Sequence, residues 1–175
     1  KWESDVGLIP QPKKSIAYFT NKSSKTIEKI PEITESDYYP RSLTPLYDAI
    51  GTTINKTDDY ITTHENKVNV IFTIMTDGLN NNSVEYSQKM IFDQISEKQK
   101  KDWLFTFLGS NQDAWEVGER IGIKKDFSAN YRADSPDMAM RVESERFIQA
   151  KRTMDRGFKV DKYYRSHDRK KLDQT

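Results

Sequence analysis

Val68-Asn-Val-Ile-Phe-Thr-Ile-Met-Thr-Asp-Gly78 is the stretch on which the reading of this chain turns. It is a nearly unbroken apolar run, rich in β-branched residues, and it stops abruptly at Thr76-Asp77-Gly78. Such a run predicts a strand buried on both faces, as in the middle of a parallel sheet. Ligands of parallel sheets lie just beyond the carboxyl ends of the strands. Asp77 therefore stands where an α/β protein keeps a binding site. Asp-Gly is also a common turn pair, and at this point both readings stand.

Working outward, Trp103-Leu-Phe-Thr-Phe-Leu108 predicts a second buried strand, followed by the loop Gly109-Ser-Asn-Gln-Asp113. Between the two strands a helix is expected over about 84–99, with Ser83 as N-cap and Met90, Ile91 and Ile95 inward. A shorter helix over 114–121 should stop at Gly122, a residue type favoured just past helix ends. Upstream, Thr44-Pro45 opens a helix whose Leu46, Ala49, Ile50, Thr53, Ile54 and Ile61 recur at helical spacing, with Asp48 favouring the helix dipole. Before it, Ser15–Thr20 and Lys25–Ile30 read as an edge hairpin joined by Asn21-Lys-Ser-Ser24. Residues 1–14 form an irregular leading segment. Past Ile123 the organisation weakens: 127–135 reads as a polar loop, 137–153 as a helix with an untidy apolar face, and 151–175 as a basic tail. Alternating strands and helices after residue 44 predict an α/β fold. The division is 1–14, a domain over 15–123, and 124–175 as a helical extension.

The 28 basic residues nearly cancel the 27 acidic ones, so global charge points to neither nucleic acid nor a membrane. No cysteine is present, which excludes disulfides and thiolate metal sites. The two histidines, His64 and His167, are too far apart in sequence to suggest a histidine metal site. No apolar segment approaches the roughly 20 residues that span a bilayer. The chain has no evident nucleophile–base pair, phosphate-cradling glycine loop or paired acids, so an enzyme is not expected.

Thr44 and Asp77 open on one rim if the two buried strands are neighbours. A hydroxyl and a carboxylate presented together form a hard oxygen site suited to Mg²⁺. Three motifs, Ser42-Leu-Thr-Pro-Leu-Tyr-Asp-Ala-Ile-Gly51, Ile74-Met-Thr-Asp-Gly-Leu-Asn-Asn-Asn-Ser83 and Phe107-Leu-Gly-Ser-Asn-Gln-Asp-Ala-Trp115, resemble the von Willebrand factor A (vWA) domain, most closely its stand-alone bacterial and phage members. The resemblance covers roughly residues 15–123. It implies a doubly wound, mostly parallel sheet whose rim carries a metal-ion-dependent adhesion site, with Thr44 a direct Mg²⁺ ligand and Asp77 acting through water. It also implies a protein partner that donates a carboxylate, and a cytoplasmic setting in a bacterial or phage-infected cell.

The chain departs from that family at its principal metal motif, Asp-x-Ser-x-Ser at the end of the first strand. Asp126-Phe-Ser128 and Asp134-Ser135 match neither its spacing nor its context. The expectation is that residues carrying this motif precede Lys1, with a strand supplied by a partner, or a rearranged fold whose site is dead, as the alternatives, and Mg²⁺ binding is conditional on the missing motif. Thr44 and Asp77 alone should hold Mg²⁺ poorly. Asn80, Asn81, Asn111, Gln112 and Asp113 are the candidate partner-binding residues of the rim. The alternative is a nucleic-acid-associated module in which Lys162, Arg165, Arg169, Lys170 and Lys171, interleaved with Tyr163 and Tyr164, track phosphates and stack bases. A regulatory subunit beside an ATPase is a third reading that rests on relatives alone.

Overall fold

The computed structural model of the chain describes residues 44–62, 68–110 and 113–173. The expected hairpin over 15–30, His64 and the candidates Asn111 and Gln112 lie outside the described residues. The chain divides into two compact units, one of 1–68 with 80–90 and one of 69–79 with 91–175.

In the first unit, helix α1 (Leu46–Thr62) buries Leu46, Ile50, Gly51, Ile54 and Thr57, close to the stripe read from the sequence. Its amino terminus is held by the 80–86 loop rather than by its own first residues. Ser83 Oγ accepts from the Tyr47 and Asp48 amides at 3.0 and 3.2 Å. Asn80 Oδ1 accepts from Tyr47 at 3.2 Å, and Asn81 Oδ1 accepts from the Thr44 amide at 2.6 Å. These bonds satisfy amides that a helix start leaves without intrahelical partners. Asp48 reciprocates, its carboxylate accepting from the Val84, Glu85 and Tyr86 amides at 2.8, 3.0 and 2.8 Å. Tyr86 lies flat over Gly51, where a Cβ would overlap its ring, and its hydroxyl accepts from Asn55 at 2.9 Å.

The second unit is built on a parallel sheet of three strands in the order β1-β2-β3. Strand β1 (Ile71–Thr76) pairs with β2 (Leu104–Gly109) from Ile71↔Leu104 through Thr76↔Gly109. Strand β3 (Ser128–Asn130) pairs with Phe107–Gly109 of β2. Among the described residues the strand buried along its whole length is β2, whereas β1 buries only Ile74 and Thr76 fully and exposes Thr73. The sequence reading gave the central place to β1. The difference follows from pairing, since β2 carries a neighbour on each side and β1 is paired only with β2 among the described residues.

Helix α2 (Gln88–Lys100) starts four residues later than the sequence suggests, and its cap is Ser87, whose Oγ accepts from the Met90 amide at 3.3 Å. Within the second unit it buries Ile91 and Ile95. Helix α3 (Ala114–Arg120) ends as predicted at Gly122, which has φ +88°. Ile123 N donates to Gly118 O at 2.8 Å and Gly122 N to Glu119 O at 3.0 Å, the paired bonds of a Schellman stop. Ser128 turns toward α3, its hydroxyl filling the space beside Gly118 where a Cβ would sit.

On the opposite face lie helices α4 (Pro136–Asp155) and α5 (Ser166–Asp173). Leu104, Leu108 and Ala129 pack there against Ala139, Val142 and Ala150 of α4 and against Tyr163, Tyr164 and Leu172. Residues 124–175, read from sequence as a loop and an extension, thus supply the third strand and much of the core. Short β3 escapes a pattern search because Ser-Ala-Asn carries no apolar run. The fold shown is a mixed α/β arrangement of five α-helices and a parallel sheet among the described residues.

Candidate functional site

The carboxyl ends of the three strands are level. Ser110 N donates to Thr76 O and Tyr131 N to Gly109 O, each at 2.9 Å, so the ladder continues one residue past each strand. Beyond that line lies an open cavity of about 340 Å³ lined by Ser110, Tyr131, Arg132, Ala133 and Asp134. Ser110 is buried and its Oγ has no hydrogen-bond partner among the described residues. Tyr131 follows β3 and holds its phenol proton more firmly than usual, first through burial and then through the negative charge of Asp77. Arg132 grips Asp134 with two bonds, Nε to Oδ1 at 2.9 Å and Nη2 to Oδ2 at 2.5 Å. That fork holds the Asp134 carboxyl below the ordinary range.

Asp77 itself is exposed at the end of β1. The turn that follows is closed by Thr76, whose Oγ1 donates to Gly78 O at 2.8 Å and accepts from Gly78 N at 3.2 Å. The turn residue is thus the threonine. Asp77 makes no hydrogen bond among the described residues, which leaves its carboxylate available to solvent or to a ligand.

Thr44 belongs to the first unit and Asp77 to the second. Thr44 is tied to Asn81 through its backbone, its carbonyl accepting from Asn81 N at 3.0 Å; its hydroxyl makes no hydrogen bond among the described residues. Among the described residues no three histidine, aspartate or glutamate side chains gather as a metal site requires. One hydroxyl and one carboxylate are the right chemistry for Mg²⁺ but too few donors for it, since even a hydrated Mg²⁺ needs near-ideal octahedral placement.

Other candidates are engaged in holding the fold. Asn80 and Asn81 cap α1 as described. Asp113 is the N-cap of α3, its Oδ1 accepting from Trp115 N at 3.0 Å and Glu116 N at 3.2 Å. Of the basic residues, Lys162 pairs with Asp126 at 3.2 Å and Lys171 with Glu145 at 3.3 Å. Arg169 donates to Ser128 O and Lys125 O at 2.7 and 2.6 Å, and its guanidinium lies 5.3 Å from the Trp115 ring centre. Of these five candidates, Arg165 and Lys170 are exposed and make no ion pair among the described residues.

Sequence reasoning missed a buried polar cluster under α4. Glu143, 9% exposed, takes Thr73 Oγ1 at 2.7 Å and Tyr163 OH at 2.8 Å on Oε1, and Tyr164 OH at 2.6 Å on Oε2. Thr106, opposite Thr73 in the register, donates to the Thr73 hydroxyl at 3.0 Å. Burial and the Glu143 charge push both phenols well above the ordinary tyrosine value. Next to it Arg146 Nε lies 3.5 Å from the wholly buried Asp168. The only sequence signal was the pair Tyr163-Tyr164 inside a stretch otherwise rich in charge.

Fold and rim define the class: an α/β protein whose parallel strands deliver side chains to one carboxyl edge. Comparison with protein-family models, with curated proteins and with solved structures finds no match.

Proposed function

We propose that the chain is a vWA-type protein-interaction domain that recognises a partner at the carboxyl rim of its sheet. The observation that carries this is Asp77: exposed, placed beyond a parallel strand, and released from turn duty by Thr76. Free carboxylates and unpartnered hydroxyls at a strand end are available for recognition. Ser110 Oγ and the Tyr131 phenol on the neighbouring strand ends widen the surface to more than one contact. The consecutive parallel order β1-β2-β3 is what one half of a doubly wound sheet requires, which supports the vWA reading. Metal assistance would need donors beyond Thr44 and Asp77, and rim recognition does not depend on it. The nucleic-acid alternative draws less support, because Arg169 is committed to the Ser128 and Lys125 carbonyls of its own chain.

Leu79, 56% exposed beside Asp77-Gly78, gives the test. A photo-crosslinking residue at position 79 should capture a discrete protein in extracts of the source cells. That adduct should be lost in Asp77→Ala and retained when Lys170 is replaced. Adducts indifferent to Asp77 would overturn the reading.

A further inference from the structure

The chain that returns across α4 at residues 158–165 leaves a cavity of about 70 Å³ against the helix, away from the rim. It is lined among others by Arg146, Gln149, Thr153, Val160, Lys162 and Arg165. Three of these are cations, and among the described residues no carboxylate lines the cavity. Arg146 is 5% exposed, and its Nε has no hydrogen-bond partner among the described residues. Its one ion-pair partner among the described residues, Asp168 Oδ1 at 3.5 Å, also faces His167 Nε2 at 3.1 Å and makes no hydrogen bond to the guanidinium. Asp168 cannot move closer freely, because its Oδ2 is fixed by the Arg165 amide at 2.8 Å. A guanidinium carries five N–H donors, and buried donors are ordinarily satisfied. Here one of them, the buried Nε, has no acceptor among the described residues, and the side chain borders the cavity.

We propose that this cavity binds a small tetrahedral oxyanion of the phosphate type, held by Arg146 from the buried side and by Lys162 and Arg165 at the mouth. The chemistry fits, since arginine prefers planar two-point contact with phosphate and carboxylate oxygens. So does the size: a water-sized occupant needs about 10–15 Å³, so the space admits roughly five such spheres, as many heavy atoms as phosphate contains. The nearby counter-charges are Asp168, Glu143 and Asp126. The first two lie on the buried side of Arg146's helix. Asp126 holds Lys162 in a pair whose side chains are each about half exposed, 50% and 51%, a kind of contact worth little and readily exchanged. An incoming anion can therefore take Lys162 without breaking the core. The site is separate from the rim, and its failure would leave the rim reading untouched.

The experiment is a backbone amide NMR titration of the whole chain with sodium phosphate, against sodium chloride at equal ionic strength. Phosphate should produce saturable shifts at Gln149, Thr153, Val160 and Lys162, in the low-millimolar range or tighter, and chloride none. Lys162→Ala with Arg165→Ala changes only side chains at the surface, so folding is retained, and it should weaken binding at least fivefold. Arg146→Lys keeps the charge beside Asp168 but not the fork, and should weaken it further. Phenyl phosphate separates the sources: competition by it assigns a phosphoester group, and its exclusion assigns the free ion. Linear, unsaturable shifts, or saturable shifts that persist unchanged in the double variant, would overturn the proposal.

Discussion

Glu143→Gln is the perturbation that probes this fold most directly. The carboxylate has three close hydroxyl donors, from Thr73, Tyr163 and Tyr164, and a longer fourth contact from Thr106 at 3.4 Å. Hydrogen bonds to a charged group are worth about 1.5–3 kcal/mol and neutral ones about 0.5–1.5, so three bonds each lose about 1 kcal/mol. The glutamine NH₂ must also face one of these hydroxyls, which then has to turn and find another acceptor for its proton in a buried place. An orphaned buried donor costs about 1–3 kcal/mol. Removing a buried charge recovers part of its desolvation penalty. The net expectation is a loss of about 2–4 kcal/mol, a large share of the about 5–15 kcal/mol that stabilises a domain. The assay is urea unfolding followed by tryptophan fluorescence, since Trp103 and Trp115 both lie in this unit. It should be run as a cycle with Tyr164→Phe, in which the two changes should couple by at least about 1 kcal/mol. A Glu143→Gln protein within about 0.5 kcal/mol of the parent, or strict additivity with Tyr164→Phe, would refute the reasoning.

Other outcomes follow from the same geometry. Tyr163 and Tyr164 keep their protons in the folded state to higher pH than when unfolded. Their contribution is complete below about pH 10 and is lost as pH rises beyond it, at up to about 1.4 kcal/mol per pH unit for each phenol. Unfolding curves taken from pH 9 upward should show this fall, and Tyr163→Phe with Tyr164→Phe should flatten it. Gly51→Ala should destabilise the first unit in thermal melts, although alanine favours a helix over glycine by about 1 kcal/mol, because the new Cβ overlaps the Tyr86 ring. Asp113→Ala removes the cap of α3 and should cost about 1 kcal/mol in denaturant unfolding, with Asp113→Asn recovering most of it.

Strand β2, the stop of α3 at Gly122 and the buried stripe of α1 were legible because each follows from apolar spacing or from one residue type with one use. Where α2 begins was less so. Ser83 has the chemistry of a cap, but it serves the start of α1, and no local rule distinguishes a cap for the next helix from one for a helix nearly forty residues back. Asn80 and Asn81 are opaque for the same reason. The face of α4 looked untidy because its inward row is Ala139, Val142, Glu143, Arg146 and Ala150, and a search for apolar period discards the two charged members. Met140 and Ile148, apolar members of the same helix, are 55% and 49% exposed. Asp77 was visible as a candidate from its place after a strand; that Thr76 frees it from the turn was not, since that depends on which hydroxyl closes the loop.

The ligands of Glu143 also bear on the order in which the chain can mature during synthesis. Thr73 and Thr106 emerge from the ribosome long before Tyr163 and Tyr164, and chains grow at roughly 5–20 residues per second. For some seconds a nascent chain holds β1, β2 and most of α4 with the acid of Glu143 short of its two phenols and with Leu104 and Leu108 uncovered. The second unit can close only after Tyr163 and Tyr164 have been made. A transcript cut before the Tyr163 codon therefore yields a product that cannot complete this unit, and quality-control proteases would meet it as an open sheet face around an unsatisfied carboxylate.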